Sequence, residues 1–266
     1  MRRREFIALL GGAAALTVGA PARAGQTVER ADLMSVFRSF GLVGTFALYD
    51  VPKDELTLVD AKRAETRYVP ASTFKIANSL IALETGVVKD ENEVIPYGGR
   101  PQPLKIWEND MSMREAITVS NVPIYQELAR RIGLKRYHDW LDRLDYGNRQ
   151  TGTALETFWL DGPLEISAIE QAHFVARLAL SQLPLSGRSQ SIVRDILKLE
   201  SKGSLTLYGK TGWRSSSTPQ LGWWTGWVSN GGKITTFSLN FDIPLPQDAP
   251  KTVVIGKTFL ATLGVI

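Results

Sequence analysis

Segments that favour β-strands lie at both ends of this 266-residue chain, and a long region that favours helices separates them. The strand-like segments are rich in apolar, β-branched and aromatic residues and cover residues 44–49, 55–59, 205–208, 221–228 and 234–241. Between them, apolar residues recur at near-helical spacing through most of residues 111–180. We therefore expect an α/β fold in which one antiparallel sheet is built from both termini, is flanked by helices and carries a helical insertion.

Shorter signals along the chain predict a hairpin and two helices. Residues 50–54 combine Asp, Val, Pro and Lys between two strand-like segments, which is typical of a hairpin turn. One helix is predicted over residues 72–84, ending at Gly86, and another over residues 253–263. The composition, 44% hydrophobic and 22% charged, is that of a globular protein, and the length permits one large domain or two small ones with an ample core.

The first 24 residues have the pattern of an export signal. Arg2, Arg3 and Arg4 precede an apolar, small-residue stretch over residues 6–20, and an Ala-x-Ala cleavage pattern ends at Ala24. The segment 3–7 also resembles a twin-arginine signal, which would direct export after folding; an ordinary secretory signal is the alternative. Cleavage near Ala24 would leave a periplasmic protein, and the apolar stretch is too short for a stable membrane anchor.

The charge of the chain does not indicate a nucleic-acid partner. The formal net charge is +4, and the first 24 residues hold most of it through four arginines and one glutamate. Residues 25–266 therefore carry about +1, too little to predict binding to nucleic acid or to a membrane surface. The oligomeric state leaves no recognisable pattern in the sequence.

The chain has no cysteine and two histidines, which excludes several kinds of site. Disulfides, thiolate metal sites and cysteine nucleophiles all need cysteine. His138 and His173 are too few for a three-histidine zinc site, and no Gly-x-Ser-x-Gly elbow supports a Ser-His-Asp triad. Both lie in stretches that favour helices, so we interpret them as structural and expect no metal.

Ser72 and Lys75 are the first candidates for catalysis. The sequence Ser-Thr-Phe-Lys places a hydroxyl and an amine three residues apart at the start of a predicted helix, so that both lie on one face. A serine hydroxyl is a weak nucleophile until a base takes its proton, and this lysine is one turn away. The competing interpretation is a helix N-cap serine followed by a solvated lysine.

Four further short motifs follow, and each also has a structural interpretation. Ser120 could cap the helix that follows it, and Tyr146 begins a Tyr-Gly-Asn turn signal. Trp159 stands beside a turn, where an aromatic residue is usually part of the core. Lys210 begins a Lys-Thr-Gly sequence at the end of a strand-like segment; its cation and hydroxyl suit a carboxylate, and its glycine lets a substrate approach the strand edge.

In this order, Ser-x-x-Lys, Ser-x-Val, Tyr-Gly-Asn, Trp-x-x-Gly and Lys-Thr-Gly resemble the motifs of the class D, oxacillinase-type serine β-lactamases. The resemblance runs through essentially the whole chain after residue 24, including residues 122–127 and 221–227, and so implies one catalytic domain over residues 25–266. The second motif ends in Val122, where class A enzymes and most transpeptidases carry asparagine. The resemblance implies a serine β-lactamase/transpeptidase-like fold and hydrolysis of penicillin-type antibiotics, which would confer resistance.

The resemblance also implies four catalytic residues. Ser72 would form an acyl-enzyme, and Lys75 would be carboxylated by CO₂ to N6-carboxylysine, the general base for acylation and deacylation. Ser120 would pass a proton to the departing lactam nitrogen, and Trp159 would donate its indole N–H to the carbamate. No cofactor other than CO₂ is implied.

The remaining residues implied by the resemblance would bind the substrate. Lys210 and Thr211, with Gly212 completing the motif, would hold the substrate carboxylate. The backbone N–H groups of Ser72 and Trp213 would form an oxyanion hole. Apolar lining would come from Val122 and the helical side of the cleft from Tyr146.

One position departs from the class D pattern. Many class D enzymes carry an arginine near the start of the last helix, where it also binds the substrate carboxylate, but here Thr252 occupies that position beside Lys251. Lys210 and Thr211 alone would then bind the substrate carboxylate, or Lys251 would help them to bind it. Three rival interpretations are a β-lactam sensor domain that is acylated without turnover, a penicillin-binding transpeptidase or carboxypeptidase, and an inactive relative.

Overall fold

The computed structural model of the protein describes residues 25–266, so the predicted export signal lies outside the described residues. Within residues 25–266, no helix is both long and apolar enough to cross a lipid bilayer. The strands of this part of the chain are β1 (Gln26–Glu29), β2 (Gly44–Asp50), β3 (Glu55–Val59), β4 (Val94–Ile95), β5 (Met111–Ser112), β6 (Lys198–Lys202), β7 (Leu205–Arg214), β8 (Gln220–Asn230) and β9 (Lys233–Ile243).

The main sheet joins the two ends of the chain. Its strand order is β1-β3-β2-β9-β8-β7-β6, and β4 pairs only with β5. The junction is the antiparallel pair of β2 and β9, in which Gly44 lies opposite Phe241 and Asp50 opposite Thr235. The predicted antiparallel sheet built from both termini is confirmed, with one addition: the first strand, β1, runs parallel to β3.

The hairpin predicted at residues 50–54 connects β2 to β3. A 3₁₀ turn, Val51–Lys53, lies between the two strands. The carboxylate of Asp50 accepts a hydrogen bond from the backbone N–H of Lys53, and Asp54 closes the turn with φ of 51°. Aspartate tolerates this left-handed backbone better than most residues, which explains its place in the turn.

Helices cover both faces of the sheet. They are α1 (Met34–Ser39), α2 (Ala61–Glu65), α3 (Lys75–Glu84), α4 (Met113–Thr118), α5 (Val122–Ile132), α6 (Leu134–Leu144), α7 (Ala168–Ala179), α8 (Gly187–Ile196) and α9 (Lys251–Thr262). On one face, α9 packs so closely that a Cβ at Gly256 would lie 2.2 Å from the Trp224 ring, so only glycine fits there. The helical insertion builds the opposite side.

An aromatic cluster supports the start of α3. Phe74, the residue before Lys75, lies with its ring centroid 5.3–6.0 Å from those of four other aromatic residues. These partners are Tyr137, Tyr146, Phe158 and Trp159, all fully buried. Buried aromatic rings are large and have few rotamers, so the cluster forms a rigid base under the turn that carries Ser72 and Lys75.

The two histidines lie in helices, as expected. Both are exposed, His138 on α6 and His173 on α7, where the His173 ring also contacts Tyr49 with centroids 4.5 Å apart. Partial desolvation of this ring lowers the pKa of His173, which favours the neutral imidazole at physiological pH.

Candidate active site

Ser72 and Lys75 lie side by side at the start of α3. The helix predicted over residues 72–84 begins as a 3₁₀ turn, Ala71–Phe74, and becomes α-helical at Lys75. Residues three apart eclipse each other in a 3₁₀ helix, which brings the two side chains together. Lys75 Nζ donates a hydrogen bond to Ser72 Oγ at 2.8 Å.

The backbone is strained at two places beside this pair. Ala71, directly before the serine, has φ of 49°, and Ser120 has φ of 56°. Residues other than glycine seldom adopt this left-handed conformation, and each instance costs on the order of 1–3 kcal/mol. Ala71 precedes Ser72, and Ser120 itself carries a hydroxyl of the site. Strained backbone of this kind is often found at functional sites.

Lys75 is fully buried and has no acidic partner. No carboxylate oxygen lies within 4.0 Å of its amine among residues 25–266. Its Nζ lies 5.1 Å from the centroid of the Tyr125 ring. Burial, and to a smaller extent the nearby charge of Lys210, lowers the pKa of Lys75 well below its usual value. The lowered pKa favours the neutral amine, which is the nucleophilic form.

Ser120 is not the cap of the helix that follows it, in contrast to the structural interpretation of the sequence. The N-cap of α5 is Asn121, whose side chain accepts a hydrogen bond from the backbone N–H of Ile124 at 3.1 Å. The hydroxyl of Ser120 is thus free to face the sheet, where it accepts a hydrogen bond from Lys210 Nζ at 3.1 Å.

Lys210 lies within β7 and not at its end. The expectation that the strand stops at the Lys-Thr-Gly sequence was wrong, since β7 continues to Arg214 through its pairing with β8. The lysine is buried, and Nζ also donates to the carbonyl oxygen of Thr211 at 2.9 Å. Burial lowers its pKa to about 7.

Gly212 allows β7 to pack against the nucleophile turn. A Cβ at this position would lie 3.0 Å from the carbonyl oxygen of Pro70 and 3.2 Å from the backbone nitrogen of Thr73. The sequence suggested that this glycine makes room for a substrate. The structure shows that its nearest neighbours are the residues around Ser72, so the missing side chain sets the distance between sheet and serine.

A cleft of about 830 Å³ opens between the sheet edge and the helical side. Six of the ten sequence-predicted site residues line it: Ser72, Ser120, Val122, Thr211, Gly212 and Trp213. Lys75 and Lys210 lie behind this surface and reach it through their hydrogen bonds to the two serine hydroxyls. The arrangement places a nucleophile and a second hydroxyl in one cavity of substrate size, each hydrogen-bonded to a buried lysine amine.

Trp159 is fully buried beside this site. Its ring stacks on Phe74, with centroids 5.6 Å apart, and its indole nitrogen has no hydrogen-bond partner among the described residues. An unsatisfied buried N–H costs roughly 1–3 kcal/mol, so the position suits an acceptor that the protein chain itself does not provide.

Tyr146 does not line the cleft, in contrast to the sequence-based expectation. It is fully buried between Phe74 and Phe174, with ring centroids 5.6 and 5.0 Å away. Burial raises the pKa of its hydroxyl far above 10, so the phenolate is inaccessible as a base at neutral pH. From the sequence alone, an aromatic residue buried behind the cleft could not be distinguished from one that lines it.

The rest of the Tyr-Gly-Asn motif anchors the loop that carries Trp159. Asn148 donates a side-chain hydrogen bond to the carbonyl oxygen of Pro163 at 2.8 Å and accepts one from the backbone N–H of Glu165 at 3.0 Å. Gly147 has φ of 52°, and a Cβ there would lie 2.1 Å from the Glu165 carbonyl oxygen. The motif therefore acts on the loop and not on the cleft.

The structure separates the two candidates at the start of α9. Thr252 lines the cleft, whereas Lys251 does not and forms an ion pair with Asp248 at 2.7 Å. Several residues that the sequence motifs did not identify as site residues also line the cleft: Leu104, Trp107, Leu160, Asp161, Arg214 and Ser216. Apart from Arg214, the last residue of β7, they lie on segments between the α-helices and strands, whose approach to the cleft depends on tertiary packing. Their positions next to Pro103, Trp159 and the Lys-Thr-Gly sequence offered a weak signal.

Comparisons with known proteins agree with this geometry. The family model of the penicillin binding protein transpeptidase domain matches residues 44–258. β-Lactamase OXA-5 of Pseudomonas aeruginosa is 39% identical over 233 residues, which cover 86% of this chain and 87% of that protein. β-Lactamase OXA-48 of Klebsiella pneumoniae is 38% identical over 227 residues, which cover 85% of this chain and 86% of that protein.

Solved structures support the same assignment. FUS-1 (OXA-85), a class D β-lactamase from Fusobacterium nucleatum subsp. polymorphum, aligns with a TM-score of 0.86 and 39% identity, over 90% of this chain and 100% of that one. The class D β-lactamase YbXI from Nostoc aligns with a TM-score of 0.85 and 36% identity, over 88% and 99%. With its paired Ser72 and Lys75 and its full-length similarity to these enzymes, the chain belongs to the class D serine β-lactamases.

Proposed function

We propose that this protein hydrolyses the β-lactam ring of penicillin-type antibiotics through an acyl-enzyme on Ser72, with a carboxylated Lys75 as the general base. The observation that carries the proposal is the 2.8 Å contact between Ser72 Oγ and the amine of a fully buried lysine, whose pKa burial lowers. A protonated lysine could not take the serine proton, and a solvated lysine would remain protonated at neutral pH.

The residues around Lys75 fit the carboxyl group that the family implies. A neutral amine is the form that reacts with CO₂, and the indole N–H of Trp159 is buried without a partner among the described residues. Trp159 would hold the group by donating this N–H, a hydrogen bond to an anion worth about 1.5–3 kcal/mol. When bound, the carbamate supplies an anionic base beside Ser72 that serves acylation and then activates water.

The other side chains of the cleft divide the remaining tasks. Ser120, which accepts a hydrogen bond from Lys210, would pass a proton to the departing lactam nitrogen. The backbone N–H groups of Ser72 and Trp213 would stabilise the oxyanion, a contribution of about 3–4 kcal/mol per donor. Val122 would supply apolar surface next to the nucleophile.

Substrate binding would depend on the sheet side of the cleft. Lys210 and Thr211 would hold the substrate carboxylate, since Thr252 stands where many relatives carry an arginine. Lys251 is engaged by Asp248 and does not line the cleft, which argues against its assistance. An incoming carboxylate would raise the pKa of Lys210 and favour its charged form.

Kinetics and intact-mass spectrometry test the proposed chemistry. The purified protein should hydrolyse benzylpenicillin and oxacillin over many turnovers, while its mass returns to that of the free enzyme. Activity should fall in degassed buffer at acid pH and recover when bicarbonate is added. A lasting adduct without turnover would instead indicate a sensor or transpeptidase. Full activity without CO₂ and no response to bicarbonate would contradict the carboxylated lysine.

We also propose that the protein is exported to the periplasm, where it would confer β-lactam resistance. The basic start, the apolar stretch and the cleavage pattern before Gly25 support this location. Sequencing the N-terminus of the protein recovered from a periplasmic extract should find Gly25 first. Recovery of the uncleaved chain in the cytoplasm alone would contradict export.

A further inference from the structure

The segment 157–164, here called the Trp159 loop, contacts the strand that also supports the nucleophile. Arg214, the last residue of β7, donates a hydrogen bond from Nη2 to the carbonyl oxygen of Asp161 at 3.0 Å. Ser216, two residues further, donates from its hydroxyl to Asp161 Oδ1 at 2.8 Å. Asp161 thus accepts two hydrogen bonds, one from the last residue of β7 and one from the connection between β7 and β8.

Asp161 is coupled to Trp159 through the backbone of a compact turn. The backbone N–H groups of Leu160 and Asp161 both donate to the carbonyl oxygen of Thr157, at 2.8 and 2.9 Å. The N–H of Leu164 closes the loop by donating to the carbonyl oxygen of Phe158 at 3.1 Å. Because these bonds make the turn a unit, a displacement of Asp161 is transmitted to the indole two residues before it.

β7 and the residues that follow it therefore contact two parts of the site, the nucleophile turn and the Trp159 loop. Gly212 packs on the turn that carries Ser72, and Arg214 and Ser216 contact the Trp159 loop from the following residues. The guanidinium of Arg214 has no carboxylate within 4.0 Å among the described residues, so the carbonyl oxygen of Asp161 is its polar contact there. Asn148 holds the far end of the loop separately, at Pro163 and Glu165.

We infer that Arg214 and Ser216 are positioning residues that hold the Trp159 loop and thereby set the CO₂ affinity of Lys75. This inference rests on the proposed carboxylation. In that step a bond forms between Lys75 Nζ and the carbon of CO₂, and one amine proton leaves to solvent. An indole N–H held in place stabilises the product, whereas a loop that samples other positions stabilises it less.

The test measures carboxylation directly rather than catalysis. The purified protein is titrated with ¹³C-labelled bicarbonate, and the carbamate carbon is followed by ¹³C nuclear magnetic resonance. We expect the CO₂ concentration for half-carboxylation to rise about twofold to threefold in Ser216→Ala, because its contact is exposed, and similarly in Arg214→Ala. Combining the two substitutions should raise it about fivefold or more.

A double-mutant cycle separates the contact from unrelated effects. Asp161→Ala removes the acceptor of the Ser216 hydroxyl, so it should shift the midpoint as much as Ser216→Ala, and the pair should add nothing further. Ser216→Thr keeps a hydroxyl and should restore the wild-type midpoint. Ser215→Ala is the matched control, since this neighbouring serine is exposed and lines the same cleft.

The outcomes distinguish the positioning role of Arg214 and Ser216 from the carboxylation of Lys75 on which it rests. A shifted midpoint with a melting temperature within about 2 °C of wild type supports the positioning role, because general destabilisation would move both. Unchanged midpoints in Ser216→Ala and Arg214→Ala, with a normal carbamate signal in the wild type, would overturn this inference alone. No carbamate signal in the wild type would overturn the carboxylated lysine itself, and the positioning role with it.

Discussion

The two sides of the cleft bury one lysine each, and they treat it differently. On the helical side, Lys75 is enclosed near the Tyr125 ring, with Ser72 as its hydrogen-bond partner. On the sheet side, Lys210 donates to Ser120 Oγ and to the Thr211 carbonyl oxygen. Burial lowers both pKa values, that of Lys75 well below its usual value and that of Lys210 to about 7.

The two lysines therefore differ in their proposed roles: Lys75 is suited to react as a neutral amine, and Lys210 to become charged when an anion binds. On the helical side the Lys75 amine has the Ser72 hydroxyl and the Tyr125 ring near it but no carboxylate within 4.0 Å among the described residues, so burial favours the neutral amine, the form that attacks CO₂. The sheet side offers oxygen acceptors, so Lys210 can gain a proton when an anionic ligand arrives beside it. The same residue type thus serves base chemistry on one side and anion binding on the other.

Substitution Ser72→Ala tests whether the helical side acts through a single nucleophile, and we expect the largest effect here. Turnover of benzylpenicillin should fall by about 10⁴-fold or more, and no acyl adduct should form. Intact-mass spectrometry and steady-state kinetics measure the two effects. A penicilloyl adduct on this variant would refute the assignment of the nucleophile.

Substitution Lys75→Ala removes the base and leaves the serine. We expect slow acylation of Ser72 followed by an acyl-enzyme that persists, because no group remains to activate the deacylating water. Single-turnover kinetics with mass detection should find the adduct after hours. Rapid multiple turnover by this variant would mean that another residue acts as the base.

The corresponding change on the sheet side is Lys210→Ala. Here we expect kcat/KM to fall by about 10- to 100-fold through a raised KM, since a hydrogen-bonded charge pair with the substrate carboxylate is lost. The acyl-enzyme should still turn over. If this variant instead accumulated acyl-enzyme as Lys75→Ala is expected to do, the division of labour between the two lysines would be wrong.

The smallest expected effect is on stability. In the folded protein Lys210 loses its proton near pH 7, whereas in the unfolded chain a lysine does so near pH 10.4. Between these values the unfolded state binds more protons, so the free energy of unfolding should rise with pH, by up to about 1.4 kcal/mol per unit for one such lysine.

Urea unfolding between pH 7 and 10 in CO₂-free buffer checks this dependence. Lys210→Met, which keeps the length of the side chain without the amine, should show a flatter profile than the wild type. Identical slopes for the two proteins would contradict the lowered pKa of Lys210.

Local sequence patterns predicted the helices and strands better than the contacts between them. The hairpin at residues 50–54, the α9 helix and the sheet from both termini follow from period, turn chemistry and apolar content, and the structure confirms them. The predicted end of β7 was wrong because lysine and glycine, which flank Thr211, are depleted in strands, so the local sequence did not predict that the strand continues. Pairing with β8 extends the strand to Arg214.

The candidate site shows the same limit. The i, i+3 spacing of Ser72 and Lys75 made their contact predictable, whereas Ser120 and Lys210 are 90 positions apart and meet only when β7 packs beside the junction of α4 and α5. Tyr146 stands in a recognisable motif, but no local pattern could tell a residue behind the cleft from one that lines it.

The sequence by itself determined which groups are available: a serine with a lysine one turn away, no cysteine, and motifs in an order typical of one family. Tertiary structure alone decided their chemical state. Burial lowers the pKa of the Lys75 amine, Gly212 sets the distance between sheet and nucleophile, and Asp161 accepts hydrogen bonds from Arg214 and Ser216. The physical reason is that spacing along a chain fixes local neighbours, while desolvation depends on every segment that packs around a group.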